Sequence, residues 1–242
     1  MRMMITLSLD KNTLPRDYRP WISRLFRIAL EKQGGEQLSR QYFGGVQAQL
    51  FSFSVYLPKS RFGPEIILES GYIKVIFSAF DENVFDDVFF ALLALQGQEA
   101  DMGGNVIRVT SVARILEKTI KEDRISIHML SPLVVRGAMA GAKDSRSCLG
   151  VSDPEMAMGL RSSVKEMLPL ANLDQEVLPS LRISAEKGDK CKETHVLHQG
   201  KFYRSTLGNL TLSGEPALLN LLYHAGMGEM REEGFGLFEL IL

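Results

Sequence analysis

The strongest constraint on this chain is how its apolar residues change period. Met3, Ile5, Leu7 and Leu9 alternate with mostly polar neighbours, the pattern of a strand with one face on a core. From residue 19 to 33 the spacing turns helical at Ile22, Leu25, Phe26 and Ala29, and Gly34-Gly35 is expected to stop that helix. Alternation returns at 49–57 through Phe51, Phe53, Val55 and Leu57. Residues 65–68 and 72–80 read as a hairpin around Ser70-Gly71. A strongly apolar helix follows at 83–96 and a strand at 106–116. The order is β-α-β-β-α-β, the split βαβ arrangement.

The second half repeats this order without repeating the sequence. A strand is expected at 124–130, and a helix from Asp153-Pro154, with Asp153 as its cap, to about Leu168. Strands follow at 181–185, 194–197 and 202–212, then a helix at 215–225 with Pro216 in its first turn and a closing strand at 237–240. The polar run from Lys118 to Arg124 separates the halves. The expectation is an α+β chain of two tandem ferredoxin-like (RRM-like) domains, 1–121 and 122–242, each within the usual size of a domain.

Composition narrows function by exclusion. Lys plus Arg number 28 against 29 Asp plus Glu, a net charge of −1, so the chain is not a globally basic nucleic-acid binder. No apolar run approaches the roughly 18–20 residues that span a bilayer, so no membrane partner is expected. Cys148 and Cys191 lack metal-binding or disulfide-framework spacing, which suggests reduced thiols in a cytoplasmic protein with neither metal nor cofactor.

Several local features could carry chemistry. Gly226, Gly228, Gly234 and Gly236 lie within eleven residues around Arg231, after a helix and before the last strand. Such a loop either packs a helix closely on a strand or turns its N–H groups toward an anion. Arg16, Arg19, Arg24 and Arg27 crowd twelve residues, and Arg24 and Arg27 fall off the apolar stripe. Arg136, Lys143 and Arg146 form a second basic group, and Lys187, Lys190, Lys192, Lys201 and Arg204 a third; each fits an RNA backbone or a solvated surface. His128 reads as a structural histidine. His195, His198 and His224 read as surface groups. Trp21 and most phenylalanines read as core.

The stretch from Leu210 to Gly226 (LTLSGEPALLNLLYHAG), followed by GMGEMREEGFGLFEL, resembles the signature of the CRISPR repeat-processing endoribonucleases, the sixth Cas family within the RAMP superfamily. Met129-Leu-Ser-Pro-Leu-Val-Val135 resembles that family's LSPI strand, Gln49-Leu-Phe-Ser-Phe-Ser54 its KxFTFS strand, and Leu14-Pro to Ile28 its first helix. The resemblance spans essentially the whole chain. It implies a protein that binds CRISPR repeat RNA and cuts it without metal by 2′-OH attack, leaving a 2′,3′-cyclic phosphate. Effector-complex subunits or a second copy of the chain are further partners in prospect.

Such cleavage needs in-line geometry, a base, an acid and positive charge at the phosphorane-like state. The family's frequent histidine, in an LH dipeptide after the first helix, corresponds here to Ser39. Its lysine before the FTFS strand corresponds to Gln49, and a tyrosine used by some members falls at Arg27. Arg40 and Tyr42 flank the histidine position. The candidate catalytic residues are therefore Arg27, Ser39, Arg40, Tyr42 and Gln49. The candidate RNA contacts are Arg16, Arg19, Arg24, Arg136, Lys143, Arg146 and the loop residues Gly226, Gly228, Arg231, Gly234 and Gly236. Three functions follow: a metal-independent endoribonuclease, a non-catalytic holder of repeat or guide RNA, or a RAMP-like structural subunit.

Overall fold

A computed structural model describes residues 1–45, 48–137, 147–185 and 191–241. The first half contains β1 (Arg2–Leu9), β2 (Thr13–Pro15), α1 (Arg19–Phe43), β3 (Phe51–Tyr56), β4 (Ser60–Phe62), β5 (Glu65–Leu68), β6 (Tyr72–Ala79), α2 (Glu82–Ala94), β7 (Glu99–Met102) and β8 (Asn105–Ile115). Its main sheet runs β3-β6-β1-β8-β7. Without the added edge strand β7, that is the 2-3-1-4 order of a ferredoxin-like domain, with α1 and α2 on one face. Phe26 of α1 meets Phe53 and Phe77 of the sheet edge-on, with ring centroids 5.2 and 5.4 Å apart. Such pairs add about 1 kcal/mol beyond simple burial.

The second half contains β9 (Arg124–Met129), β10 (Val135–Arg136), β11 (Cys148–Leu149), α3 (Met156–Lys165), β12 (Arg182–Ala185), β13 (Cys191–His198), β14 (Lys201–Ser213), α4 (Pro216–Ala225) and β15 (Phe238–Leu240). The order β12-β14-β9-β15 repeats 2-3-1-4, and β13 pairs with the first part of the long strand β14. Leu210 and Leu212 of β14 share a buried core with Leu218, Leu221 and Leu222 of α4. The chain is thus two tandem ferredoxin-like units.

Two expectations about the elements need correction and one is extended. Gly34-Gly35 does stop the first helical segment, as expected; Gly35 takes φ 76° and ψ 179°, and a second segment of α1 starts after it in a new direction. A straight helix would put Phe26 and Phe43 about 25 Å apart. Their rings stack 6.2 Å apart, so residues 36–43 fold back on the first segment. Glycine makes this bend because its backbone enters the left-handed region without a Cβ penalty. Strands β5 and β6 do not form a hairpin: β5 pairs with β2 and β4 in a small separate sheet, while β6 lies between β1 and β3. Asp153 does not cap α3, which starts at Met156; its carboxylate accepts from the Gly150 N–H (3.0 Å) and pairs with Arg204 (2.6 Å). A local turn outcompeted the cap.

The two halves are joined by an unusual set of hydrogen bonds. Side chains of the first half donate to main-chain carbonyls of the second. Arg19 Nε reaches Gly234 O (3.2 Å), Ser52 Oγ reaches Phe235 O (2.6 Å), and Ser78 Oγ reaches His224 O (2.6 Å). Arg2 donates to the carbonyls of Phe238 (2.7 Å) and Tyr223 and lies over the Tyr223 ring. Arg231 is buried inside the loop, bonded to Gly228 O and, across the junction, to Gln49 O (3.3 Å). The glycines allow the close approach. A Cβ on Gly236 would lie 1.8 Å from Met227 O, and one on Gly234 2.5 Å from the Phe53 ring; both residues have positive φ.

Two histidines expected on the surface belong to this junction. His198 is 1% exposed, with Nε2 on the Glu233 carboxylate and Nδ1 3.6 Å from Asp17. His224 is half-buried, its Nδ1 3.2 Å from Glu117. Burial, and then neighbouring positive charge including Arg2, push the His224 imidazole down to about 3, so the ring is neutral in the folded chain.

Two outcomes are expected. Gly236→Ala should cost about 3 kcal/mol or more in urea unfolding, because the new methyl meets backbone rather than a movable side chain. The unfolded chain protonates His224 near pH 6.5 whereas the folded chain does not until about pH 3. Stability should therefore fall as pH drops from about 6.5, by about 1 kcal/mol per unit, and His224→Asn should flatten that part of the pH profile.

Candidate nucleic-acid interface

Strand alternation makes two different faces from one segment. Phe51 and Phe53 of β3 point into the helical core, so Ser52, Ser54 and Tyr56 point the other way. In register with them on β6 are Ser78, Ile76 and Lys74, and on β1 Met4 lies opposite Ile76. One end of this face is sealed by the junction at Ser52 and Ser78. The other end opens into a cleft of about 980 Å³ against the second half, which contributes residues of β9, β13, β14 and β15. The cleft is in the size range of built ligand sites.

Its chemistry suits a nucleic acid. Met4, Ile76, Met129 and Pro132 provide apolar walls, and Arg16, Lys74 and Lys192 line it as cations. None of these three makes an ion pair among the described residues. Tyr56 (58% exposed) and Phe62 (66% exposed) present rings at the cleft that no core contact explains. Exposed aromatics among cations are the usual platform for unpaired bases. His128, expected to be structural, stands exposed on this surface with Nδ1 2.7 Å from Asn209 Oδ1.

The candidate catalytic residues gather elsewhere, at the folded-back end of α1. None of Arg27, Ser39, Arg40, Tyr42 and Gln49 lines the cleft. The Arg27 guanidinium lies 5.6 Å from the Phe43 ring centroid, and Gln49 Nε2 donates to Gln41 O (3.3 Å), so the fold does bring these segments together. Arg40 is exposed and pairs with Glu36 at 2.6 Å. Ser39 is 4% exposed. The Tyr42 hydroxyl donates to Asp87 Oδ2 at 2.6 Å; burial, reinforced by that bond, pushes its phenol above the ordinary range. This patch therefore offers two exposed guanidinium groups, but its hydroxyls are buried or held protonated.

The expected RNA contacts divide. Arg16 lines the cleft, and Arg24 is exposed beside the Trp21 ring. Arg19 also lines the cleft but is only 7% exposed, held at the junction over the Tyr18 and Phe235 rings with Nε on Gly234 O. Gly226, Gly228, Gly234, Gly236 and Arg231 are buried too; packing against Ser52, Val134, Phe53 and Met227 occupies the space that an anion would need. Arg136 approaches Glu229 at 3.5 Å. Lys143, Arg146, Lys187 and Lys190 lie outside the described residues. Sequence reasoning passed over Lys74, Tyr56 and Phe62. For Lys74 and Tyr56 the signal was present, since both are out of phase with the core residues of their strands.

Comparison with known proteins agrees with this architecture. The family model described as "CRISPR associated protein Cas6, C-terminal" matches residues 115–240. None of the curated proteins compared with the sequence matches it. Among solved structures, a Cas6-related protein from Pyrococcus furiosus superposes with a TM-score of 0.84 at 19% identity, covering 100% of this chain and 98% of that one. A RAMP protein binding different RNA substrates gives 0.83 at 19% identity with both chains fully covered. A Thermus thermophilus Cas6 in a product complex gives 0.70 at 16% identity, again with full coverage of both. With a family match over more than half its length, and the tandem ferredoxin-like fold of its neighbours, the chain belongs to the Cas6 family of CRISPR-associated proteins.

Proposed function

We propose that this chain binds CRISPR repeat RNA as an unpaired strand in the cleft between its two sheets, and that any cleavage it performs is slow. The observation that carries the binding reading is the cleft itself, where Arg16, Lys74 and Lys192 accompany the exposed rings of Tyr56 and Phe62. Cations there would neutralise phosphates and the rings would stack bases, which together hold single strands with modest sequence preference. The net charge of −1 does not oppose this, because local fields rather than the total steer a polyanion.

Slow cleavage follows from proton bookkeeping. Attack by a ribose 2′-OH requires a group that accepts its proton near neutral pH. At the Arg27–Gln49 patch the histidine position is a buried serine, the nearby phenol is pushed upward, and guanidinium groups stay protonated. The second reading is a metal-independent endoribonuclease. It is favoured by Arg27 and Arg40, which are each exposed and carry guanidinium groups that fit phosphate oxygens. In that case the arginines stabilise the phosphorane-like charge while solvent takes the proton.

Two measurements test these statements. Binding of a labelled repeat RNA in EDTA should weaken steeply with salt. Lys74→Ala and Lys192→Ala should each weaken it several-fold and reduce the slope of log K against log salt by about 0.7, the value for one phosphate contact to a single strand. Incubation of the same RNA in EDTA should leave it mostly intact over an hour. A rapid single cut ending in a 2′,3′-cyclic phosphate, lost in Arg27→Ala or Arg40→Ala, would establish the endoribonuclease reading instead.

A further inference from the structure

We propose that Glu239 reads the base edge of one unpaired guanine in the cleft, an inference that rests on the RNA-binding reading above. Among the described residues that line the cleft, Glu239 is the one carboxylate, set among Arg16, Arg19, Lys74 and Lys192. A carboxylate inside a cationic groove repels each phosphate that the cations attract. It helps an RNA only if the RNA supplies donors to it. Phosphate oxygens supply none and a 2′-hydroxyl only one, so the adjacent N–H groups of a base edge are the best match.

Its placement fits that role. Strand pairing sets Glu239 directly opposite His128, which in turn lies opposite Asn209. The three residues form a polar row across the open face of the second sheet. The carbonyl oxygen of Asn209 accepts from His128 Nδ1–H at 2.7 Å, which leaves Nε2 as the other polar atom of the ring. Lys192 stands opposite Leu207 of β14, and both line the same cleft. The exposed rings of Tyr56 and Phe62 come from the other half of the chain. A base stacked on one of these rings can turn its edge toward the row while Lys192 holds its phosphate.

Base chemistry then selects among the four nucleotides. Guanine presents N1–H and N2–H side by side, matching the two oxygens of a carboxylate. Adenine and cytosine each present one amino group next to a ring nitrogen whose lone pair a carboxylate repels. Uracil presents a single N3–H between two carbonyl oxygens. The same carboxylate therefore attracts guanine and penalises the alternatives, which is how specificity is built from both signs of interaction.

The test uses short fluorescein-labelled oligouridines that carry one central guanine, inosine or adenine, titrated with the full chain at low salt in EDTA. The guanine oligomer should bind about tenfold more tightly than the adenine oligomer, within the usual range for one base contact. Inosine, which lacks the N2 amino group, should fall between them. Glu239→Ala should bring guanine binding down to the adenine level without changing the circular dichroism spectrum. Glu239→Gln, with one donor and one acceptor, should move the preference toward adenine. The proposal is overturned if Glu239→Ala tightens every oligomer alike, which would make the carboxylate merely repulsive, or if the wild-type chain ignores the central base while still binding. Failure of every oligomer to bind would overturn the cleft reading as well.

Discussion

The donation of arginine and serine side chains to main-chain carbonyls across the junction is the interaction on which the remaining geometry depends. It joins the two sheets, together with the contacts of His198 to Asp17 and His224 to Glu117. The arrangement places buried guanidinium groups against neutral acceptors, which is costly unless several acceptors converge. Burial does move these groups: Arg2 is pushed down to about 10, and Arg231 is lowered as well. Part of the compensation at Arg2 comes from its position. It donates to Tyr223 O in the last turn of α4, where the helix carbonyls concentrate negative charge. Its guanidinium also lies 3.7 Å from the Tyr223 ring centroid.

Because this junction seals one end of the sheet face, the other end is held open as a cleft. A groove whose walls are already positioned does not have to be ordered by its ligand, so more of the interaction energy appears as affinity. The cleft and the Arg27–Gln49 patch are separate places on the molecule, since none of the five patch residues reaches the cleft lining. Under the proposed reading, RNA binding at the cleft and any cleavage at the patch would therefore be separable by mutation. One can weaken while the other is kept.

The order of elements was legible in the sequence because apolar period is a local property. Met3 to Leu9 and the stripe from Ile22 to Leu30 each announce their element without reference to anything distant. Features that depended on distant partners were not legible. His198 and His224 sit near a turn and a helix end, positions that usually mean exposure, yet both are covered by the other half of the chain. The glycine-rich loop was correctly marked as unusual, but whether its N–H groups face an anion or its carbonyls face Arg19 and Ser52 cannot be decided from spacing. Gly35 shows the same limit at short range. A glycine pair signals an interruption, while the return of residues 36–43 to the core is dictated by Phe43 finding Phe26.

The arginine and serine donors at the junction all end on peptide carbonyls, and every amino acid carries one. The hydrogen-bonded part of the lock therefore does not depend on which side chains the acceptor residues carry, provided that Arg2, Arg19, Ser52, Ser78 and Arg231 remain as donors. Evolution can rewrite most of the letters here without moving the two sheets apart. The shape is carried by the part of the polypeptide that substitutions do not touch.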